Sequence, residues 1–64
     1  MIMVMKTVEF KDVKLDENFW DPDSGEYLAK VTETDGVFLT GGDYFIGELC
    51  PFQPNEIVEQ EFGV

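Results

Sequence analysis

Short apolar runs separated by glycine, proline and acidic residues make up most of this 64-residue chain. Runs of this length that are rich in β-branched and aromatic residues and bounded by turn residues are typical of β-strands. Residues 2–10 begin without a helix cap and predict a first strand, and residues 56–62 predict a last strand. The polar residues 11–18 favour a turn or one short helical turn, because the segment is too short for a stable helix.

Two glycine-containing tetrapeptides in the middle of the chain predict tight hairpins. Thr34-Asp35-Gly36-Val37 and Thr40-Gly41-Gly42-Asp43 each place two turn residues between apolar runs. Two-residue turns of this kind match the twist of antiparallel strands and set their register. Position 34 would lie opposite position 37, and position 40 opposite position 43. The result is a three-stranded meander over residues 26–34, 37–40 and 43–49.

The register that these turns imply divides the meander into two faces. One face carries Tyr27, Ala29, Val31, Glu33, Phe38, Phe45 and Leu49. The other face carries Leu28, Lys30, Thr32, Thr34, Val37, Leu39, Tyr44, Ile46 and Glu48. Neither face is cleanly polar, whereas an open antiparallel sheet with one side in water should alternate sharply. We therefore expect the sheet to close, with the first face as its core and the second as its outer wall.

The predicted fold is all-β, with a single domain over residues 1–64. The strand pattern describes a small five- to six-stranded antiparallel SH3-like barrel, in which the first and last strands close around the central meander. Between the fifth and last strands, Cys50–Asn55 contains two prolines that cannot donate ladder hydrogen bonds. This segment predicts a tight crossing, for which a 3₁₀ turn is one geometry.

The order of apolar and turn residues resembles that of a loose group of small proteins. The resemblance lies in Val8–Val13, Phe19, Tyr27–Val31 and Phe52–Glu59. Those proteins are encoded by bacteriophages and mobile elements, and most have no known function. The resemblance implies a small β-barrel and a viral or mobile origin, and it transfers no functional residue. That group usually has glycine where Asp16 or Glu17 falls in this chain.

Charge narrows the classes of partner. The chain has fourteen aspartates and glutamates, four lysines and neither arginine nor histidine, for a net charge of −10. Such a surface repels nucleic-acid phosphates and anionic lipid headgroups, so we expect no direct nucleic-acid binding and no membrane binding. Three alternatives remain: a basic protein as partner, a cation as partner, or no partner. The apolar run Met1–Met5 is far shorter than a signal peptide's core, and one cysteine allows no internal disulfide, so we expect a cytoplasmic protein.

The chain offers little to catalysis or metal binding. The segment most similar to a calcium loop is Asp21–Glu26. Such a loop needs an oxygen ligand at position 5, glycine at position 6 and glutamate at position 12. Counting from Asp21, these positions are Gly25, Glu26 and Thr32, so the match fails at all three. An ordinary hairpin turn accounts for the segment better. Without histidine, and with Cys50 alone, no Ser-His-Asp, Cys-His or zinc set can form. We expect no enzyme and no cofactor, and we expect Cys50 to be a buried, inert thiol.

A protein-binding surface is the remaining hypothesis. We expect the chain to bind a basic surface of a host protein, one that normally binds nucleic acid, and so to inhibit or modulate that protein. Aromatic side chains would supply affinity, and carboxylates would take the positions of the nucleic-acid phosphates. Trp20 and Tyr44 are the expected anchors. The full predicted set is Trp20, Asp21, Asp23, Glu26, Asp35, Asp43, Tyr44 and Glu48. The alternative is a self-associating structural or virion component, a homodimer paired through residues 2–10 or 56–62.

Overall fold

The computed structural model describes residues 2–42 and 44–63 and shows an all-β chain. Its strands are β1 (Met3–Glu9), β2 (Asn18–Asp21), β3 (Glu26–Lys30), β4 (Asp35–Phe38), β5 (Leu49–Pro51) and β6 (Ile57–Gly63). They form one antiparallel sheet in the order β1-β6-β2-β3-β4-β5. A 3₁₀ turn over Phe10–Asp12 follows β1. The predicted first strand, last strand and intervening helical turn are therefore confirmed.

The core lies on one face of this sheet, which we call the inner face. Phe10 stacks on Phe52 with ring centroids 4.8 Å apart, and the ring of Phe19 meets both edge-on at 5.5 and 5.2 Å. Aromatic pairs with these geometries stabilise beyond the area that they bury. The buried apolar residues are Phe10, Val13, Phe19, Leu28, Phe38, Phe52 and Val58. The opposite, outer face carries Thr7, Trp20, Tyr27, Val37 and Glu59.

The sheet is not closed, so the predicted barrel is not confirmed. The expected closure placed the first and last strands together around the meander, but β6 lies inside the sheet, between β1 and β2. The edges are β1 and β5, and β5 is only three residues long and ends in Pro51, which has no N–H to donate. Near the two ends, the side chains of Phe10 and Phe52 pack together without strand pairing.

The predicted turn at Asp35-Gly36 is wrong, because both residues belong to β4. Phe38 lies opposite Leu28, five positions from its expected partner Glu33. The actual turn precedes Asp35 and is built by Thr32, whose Oγ1 accepts a hydrogen bond from the backbone N–H of Asp35 at 2.9 Å. A register slip by an odd number of residues exchanges the two faces of a strand.

The predicted faces of the meander are consequently wrong as well. Leu28 and Lys30 point into the core, although both were expected on the outer wall. Tyr27 and Ala29, expected in the core, lie on the outer face opposite Trp20 and Asn18. Of the seven residues predicted to fill the core from the meander, only Phe38 is buried.

The predicted strand 43–49 is not confirmed in the described residues: positions 39–42 and 44–48, which we call the 39–48 loop, form no strand, and Leu49 begins β5. The backbone N–H of Phe38 donates to the oxygen of Glu48 at 3.1 Å, and that of Gly47 donates to the oxygen of Phe38 at 2.8 Å, which closes the loop at its base. Gly47 has φ +88°, a conformation that glycine favours and that interrupts a strand. The predicted turn ending at Asp43 lies partly outside the described residues.

Two further predicted connections have different outcomes. The turn over Asp21–Glu26 is confirmed: it links β2 to β3, and the N–H of Gly25 donates to the oxygen of Asp21 at 2.8 Å. The predicted tight crossing over Cys50–Asn55 is shorter than expected, because Cys50 and Pro51 belong to β5; it contains a turn in which the N–H of Glu56 donates to the oxygen of Gln53 at 3.1 Å. Proline is tolerated in β5 because β5 is an edge strand. The described part of the chain has no helix with the length and apolar character that crossing a bilayer requires.

Candidate protein-binding surface

A groove opens where β2 and β6 separate. Among the described residues, these two strands are paired at one position, Trp20 opposite Glu59. Beside this pair, the side chain of Gln60 bridges the strands by donating a hydrogen bond from Nε2 to the backbone oxygen of Asn18 at 3.0 Å. The groove has a volume of about 250 Å³. It is lined by Asn18, Phe19, Tyr27, Glu59, Gln60 and Glu61.

Two aromatic side chains form a wall beside the groove. Trp20 and Tyr27 are cross-strand partners on the outer face, with ring centroids 4.8 Å apart and planes inclined by 69°. Edge-to-face aromatic pairs across antiparallel strands hold both rings in place. Both residues are only half-buried, so part of each ring stays accessible from the outer face. The pair is a rigid apolar surface next to the groove.

Two carboxylates complete the groove. Glu59 and Glu61 are two residues apart on β6, so they project to the same outer face. The hydroxyl of Tyr27 donates to Oε1 of Glu61 at 3.2 Å. Partial burial raises the pKa of Tyr27, and the hydrogen bond to Glu61 and the charges of Glu61 and Glu59 raise it further. The potential in the groove is therefore negative, and it favours a cation.

The predicted acidic residues around the β2–β3 turn are mostly engaged within the chain. Asp21 is buried, and its Oδ1 accepts a hydrogen bond from the N–H of Asp23 at 3.2 Å. Glu26 is half-buried and accepts a hydrogen bond from the hydroxyl of Thr40, so it fixes the start of the 39–48 loop. Of the three, only Asp23 is exposed. Asp21 and Glu26 are engaged in hydrogen bonds within the chain and do not form an exposed charged rim.

The other predicted residues do not gather on one surface. The carboxylate of Asp35 accepts hydrogen bonds from the hydroxyls of Thr32 and Thr34, both at 2.9 Å, and stabilises the β3–β4 turn. Tyr44 stacks on the core residue Phe38 at 4.3 Å, so it lies against the inner face while Trp20 lies on the outer face. Trp20 and Tyr44, the two expected anchors, therefore lie on opposite faces of the sheet. Glu48 is exposed, and Asp43 lies outside the described residues.

Sequence reasoning missed Glu59 and Glu61, and it misplaced the tip of the 39–48 loop. Phe45 was expected in the core, but 82% of it is exposed, and Ile46 beside it is 71% exposed. Glycines at 41, 42 and 47 flank these residues and are the signal of a loop that the strand pattern obscured. For Glu59 and Glu61, the signal was alternation: Val58 points inward, so both must point outward.

Neither a metal centre nor a reactive thiol emerges from this geometry. In residues 2–42 and 44–63, no group of three or more cysteine, aspartate or glutamate side chains could hold a metal ion. Burial raises the pKa of the Cys50 thiol, and the charges of Asp21, Glu56, Glu48 and Asp35 raise it further. Cys50 is half-buried, and a raised pKa disfavours the thiolate on which its reactivity depends.

No protein-family model, no curated protein and no solved structure matches this chain. The resemblance to small phage and mobile-element proteins therefore stays a prediction, and function must be argued from the chain's own surfaces.

Proposed function

We propose that this chain is a protein-binding module whose groove between β2 and β6 takes a lysine or arginine side chain of a basic partner protein. The observation that carries the proposal is the convergence of Glu59 and Glu61 on the Trp20–Tyr27 pair. A cation beside an aromatic face and two carboxylates is attracted by the ring quadrupole and by Coulomb forces together.

The charge of the whole chain supports the same partner class. A net charge of −10 accelerates the approach of a basic surface and repels competing acidic ones. Occupation of such a surface would displace whatever anion normally binds there. Inhibition or modulation of a host protein, of the kind expected from a phage or mobile-element accessory factor, follows from that displacement.

The exposed tip of the 39–48 loop supports a protein partner more than a lone small cation. Phe45 and Ile46 offer apolar contact area of the kind that supplies affinity at protein interfaces. The second candidate function, a self-associating structural component, is favoured by a different observation, the long open edge of β1.

Intrinsic fluorescence tests the proposal directly, since Trp20 is the chain's one tryptophan and borders the groove. Capped tripeptides with a central arginine, lysine, glutamine or glutamate are titrated into the protein at low and high salt. We expect saturable fluorescence changes with arginine and lysine that weaken as salt rises, and none with glutamate.

The matched variants carry equal changes of charge. Glu59→Gln with Glu61→Gln should weaken arginine binding by about fivefold, because two partly exposed charges are lost while the side-chain shape remains. Asp12→Asn with Glu33→Gln removes the same charge elsewhere on the exposed surface and should leave the affinity nearly unchanged. Equal binding of glutamine and arginine peptides, or equal losses in the two double variants, would overturn the proposal.

A further inference from the structure

The two edges of the sheet are unequally protected against pairing with another strand. At the β5 edge the strand has three residues, and Pro51 removes one backbone donor. At the other edge, β1 has seven residues and no proline, and it pairs with β6 in continuous register from Met3 opposite Gly63 to Glu9 opposite Ile57. Long, regular edges of this kind are templates for strand addition.

Hydrogen-bond alternation shows which backbone groups of β1 point away from the sheet. The N–H of Phe10 donates to the oxygen of Glu56 at 2.8 Å, which places position 10 among those that bond toward β6. Neighbouring positions of an antiparallel strand bond in opposite directions, so Met3, Met5 and Thr7 present N–H and C=O groups at the open edge.

The side chains along this edge are apolar and accessible. Ile2 is 68% exposed, Met3 53%, Met5 42% and Phe62, on the adjacent strand, 39%. The charge of Lys6 lies over the ring of Phe62, with Nζ 5.1 Å from the centroid, so the aromatic ring partly shields it.

Charge distribution favours a second copy of this chain at the edge. Residues 1–14 contain three lysines and two carboxylates, a net charge of +1, whereas residues 15–64 carry the remaining −11. Two copies joined along β1 would bring their least acidic segments together, with Glu59 and Glu61 of β6 one strand away from the joint in each copy. A dimer through the β5 edge would instead bring together the charges of Asp35, Glu48 and Glu56, which act on Cys50 of that strand.

We propose that β1 pairs antiparallel with β1 of a second copy, across a two-fold axis at Met5, to give one continuous twelve-stranded sheet. In this register Met5 faces its own copy and Met3 faces Thr7, so the open backbone groups bond to one another. On the inner face, Val4 lies opposite Lys6. A two-fold axis at Lys6 would instead set two ammonium groups directly opposite, which is destabilising.

Cysteine cross-linking tests both the dimer and its register, in a Cys50→Ser background. A hydrogen-bonded antiparallel pair has Cα atoms about 5.5 Å apart, within the range that a disulfide spans. Met5→Cys should form a covalent dimer under mild oxidation, and Lys6→Cys should not, because position 6 faces position 4. Cross-linking at Lys6→Cys alone would overturn the proposed axis.

Sedimentation equilibrium of the otherwise unmodified chain measures the dimer without engineered thiols. Met5→Lys should raise the dimer dissociation constant by about tenfold or more, because it places two like charges opposite each other. Leu49→Lys makes the same change at an exposed apolar position of the other edge strand and should leave it unchanged. Circular dichroism checks that each variant is folded.

A protein that stays monomeric up to its solubility limit, with Met5→Cys not cross-linked, would overturn the dimer and leave the edge to a foreign strand. If Met5→Lys and Leu49→Lys raised the dimer dissociation constant equally, the proposed location of the dimer interface at β1 would be overturned. Peptide binding in the β2–β6 groove is measured in a separate experiment. The results on dimerisation therefore neither support nor contradict the proposed function.

Discussion

Two hairpins that share β3 use glycine in opposite ways. In the β2–β3 turn, Gly25 has φ +70°, and a Cβ added to it would meet nothing within 4 Å. In the β3–β4 hairpin, Gly36 has no positive φ, and a Cβ there would lie 2.9 Å from the ring of Phe19. The first glycine permits a backbone conformation, and the second permits a close approach of strand and core.

The difference shows why the same sequence signal succeeded in one hairpin and failed in the other. Both segments place glycine near acidic residues between apolar runs. In the structure their surroundings differ: the ring of Phe19 occupies the space that a side chain at Gly36 would need, whereas the space around Gly25 is open. Thr32 and Asp35 then build the β3–β4 turn with side-chain hydrogen bonds and without Gly36 in the turn.

The largest effect is expected from Gly36→Ala. The added methyl group would contact the Phe19 ring at 2.9 Å, a Leu28 methyl at 3.2 Å and the backbone oxygen of Ala29 at 3.3 Å, and the backbone oxygen cannot rotate away. We expect a loss of about 2–3 kcal/mol in the free energy of unfolding, the upper part of the range for overpacked cores. Urea denaturation followed by circular dichroism measures it.

A double-mutant cycle sharpens this prediction. Phe19→Leu removes the ring that the new methyl group would strike, so Gly36→Ala should destabilise the Phe19→Leu protein less than it destabilises the natural one. The coupling energy should exceed about 0.5 kcal/mol, as it does for residues in direct contact. Strict additivity would mean that Gly36 serves the turn after all.

Lys30, which lies directly opposite Gly36, should give the second-largest effect. Its side chain is 1% exposed. Its Nζ donates a hydrogen bond to the backbone oxygen of Phe10 at 2.9 Å and lies 4.4 Å from the centre of the Phe10 ring. Lys30→Ala removes both contacts and the packed stem and should cost about 2 kcal/mol.

Two variants separate the contributions of Lys30. Lys30→Met keeps an apolar stem and should recover most of the loss, because removing a buried charge offsets the lost hydrogen bond. Glu33→Gln should change little, since Glu33 is 79% exposed and its oxygen lies 3.8 Å from the Lys30 Nζ. A Lys30→Met protein as unstable as Lys30→Ala would mean that the charge itself is required.

Local patterns predicted the parts of the fold that depend on local chemistry. Both terminal strands and the turn at Gly25 follow from β-branched runs and from a glycine with positive φ. The register of β4 does not follow from local patterns, because Asp35-Gly36 suits a two-residue turn as well as it suits a strand. Packing of Gly36 against Phe19 decides between the alternatives, and that contact joins residues seventeen positions apart.

The candidate site shows the same division. Trp20 was predicted from its position beside a turn, and in the structure it lies opposite Glu59, which lines the groove. Glu59 and Glu61 lie about forty positions away along the chain and join Trp20 only because β6 lies between β1 and β2. Nothing in the strand pattern alone predicts that insertion, since every alternative order of strands buries the same apolar residues on one face.

Gly25→Ala should have a smaller effect than either change in the β3–β4 hairpin. The space around Gly25 is open, so the cost is only that of holding alanine at φ +70°, about 1 kcal/mol. Gly25→Asn should cost less, because asparagine tolerates the left-handed region. Thermal melts should rank natural protein, asparagine variant and alanine variant in that order; an alanine variant as unstable as Gly36→Ala would erase the contrast between the hairpins.

The smallest effect is expected at Asp16, which has φ +70° without being glycine. Its N–H donates to the oxygen of Lys30 at 2.8 Å, so the turn after the 3₁₀ segment is joined to β3 and holds this conformation. In Asp16→Gly, relief of strain opposes the greater freedom of glycine in the unfolded chain, and we expect a net change below about 1 kcal/mol. Asp16→Ala keeps the strain without aspartate's tolerance for it and should be less stable than the glycine variant. If alanine proved the more stable of the two, positive φ would not be the property that matters at this turn, and the parallel with Gly25 would fail.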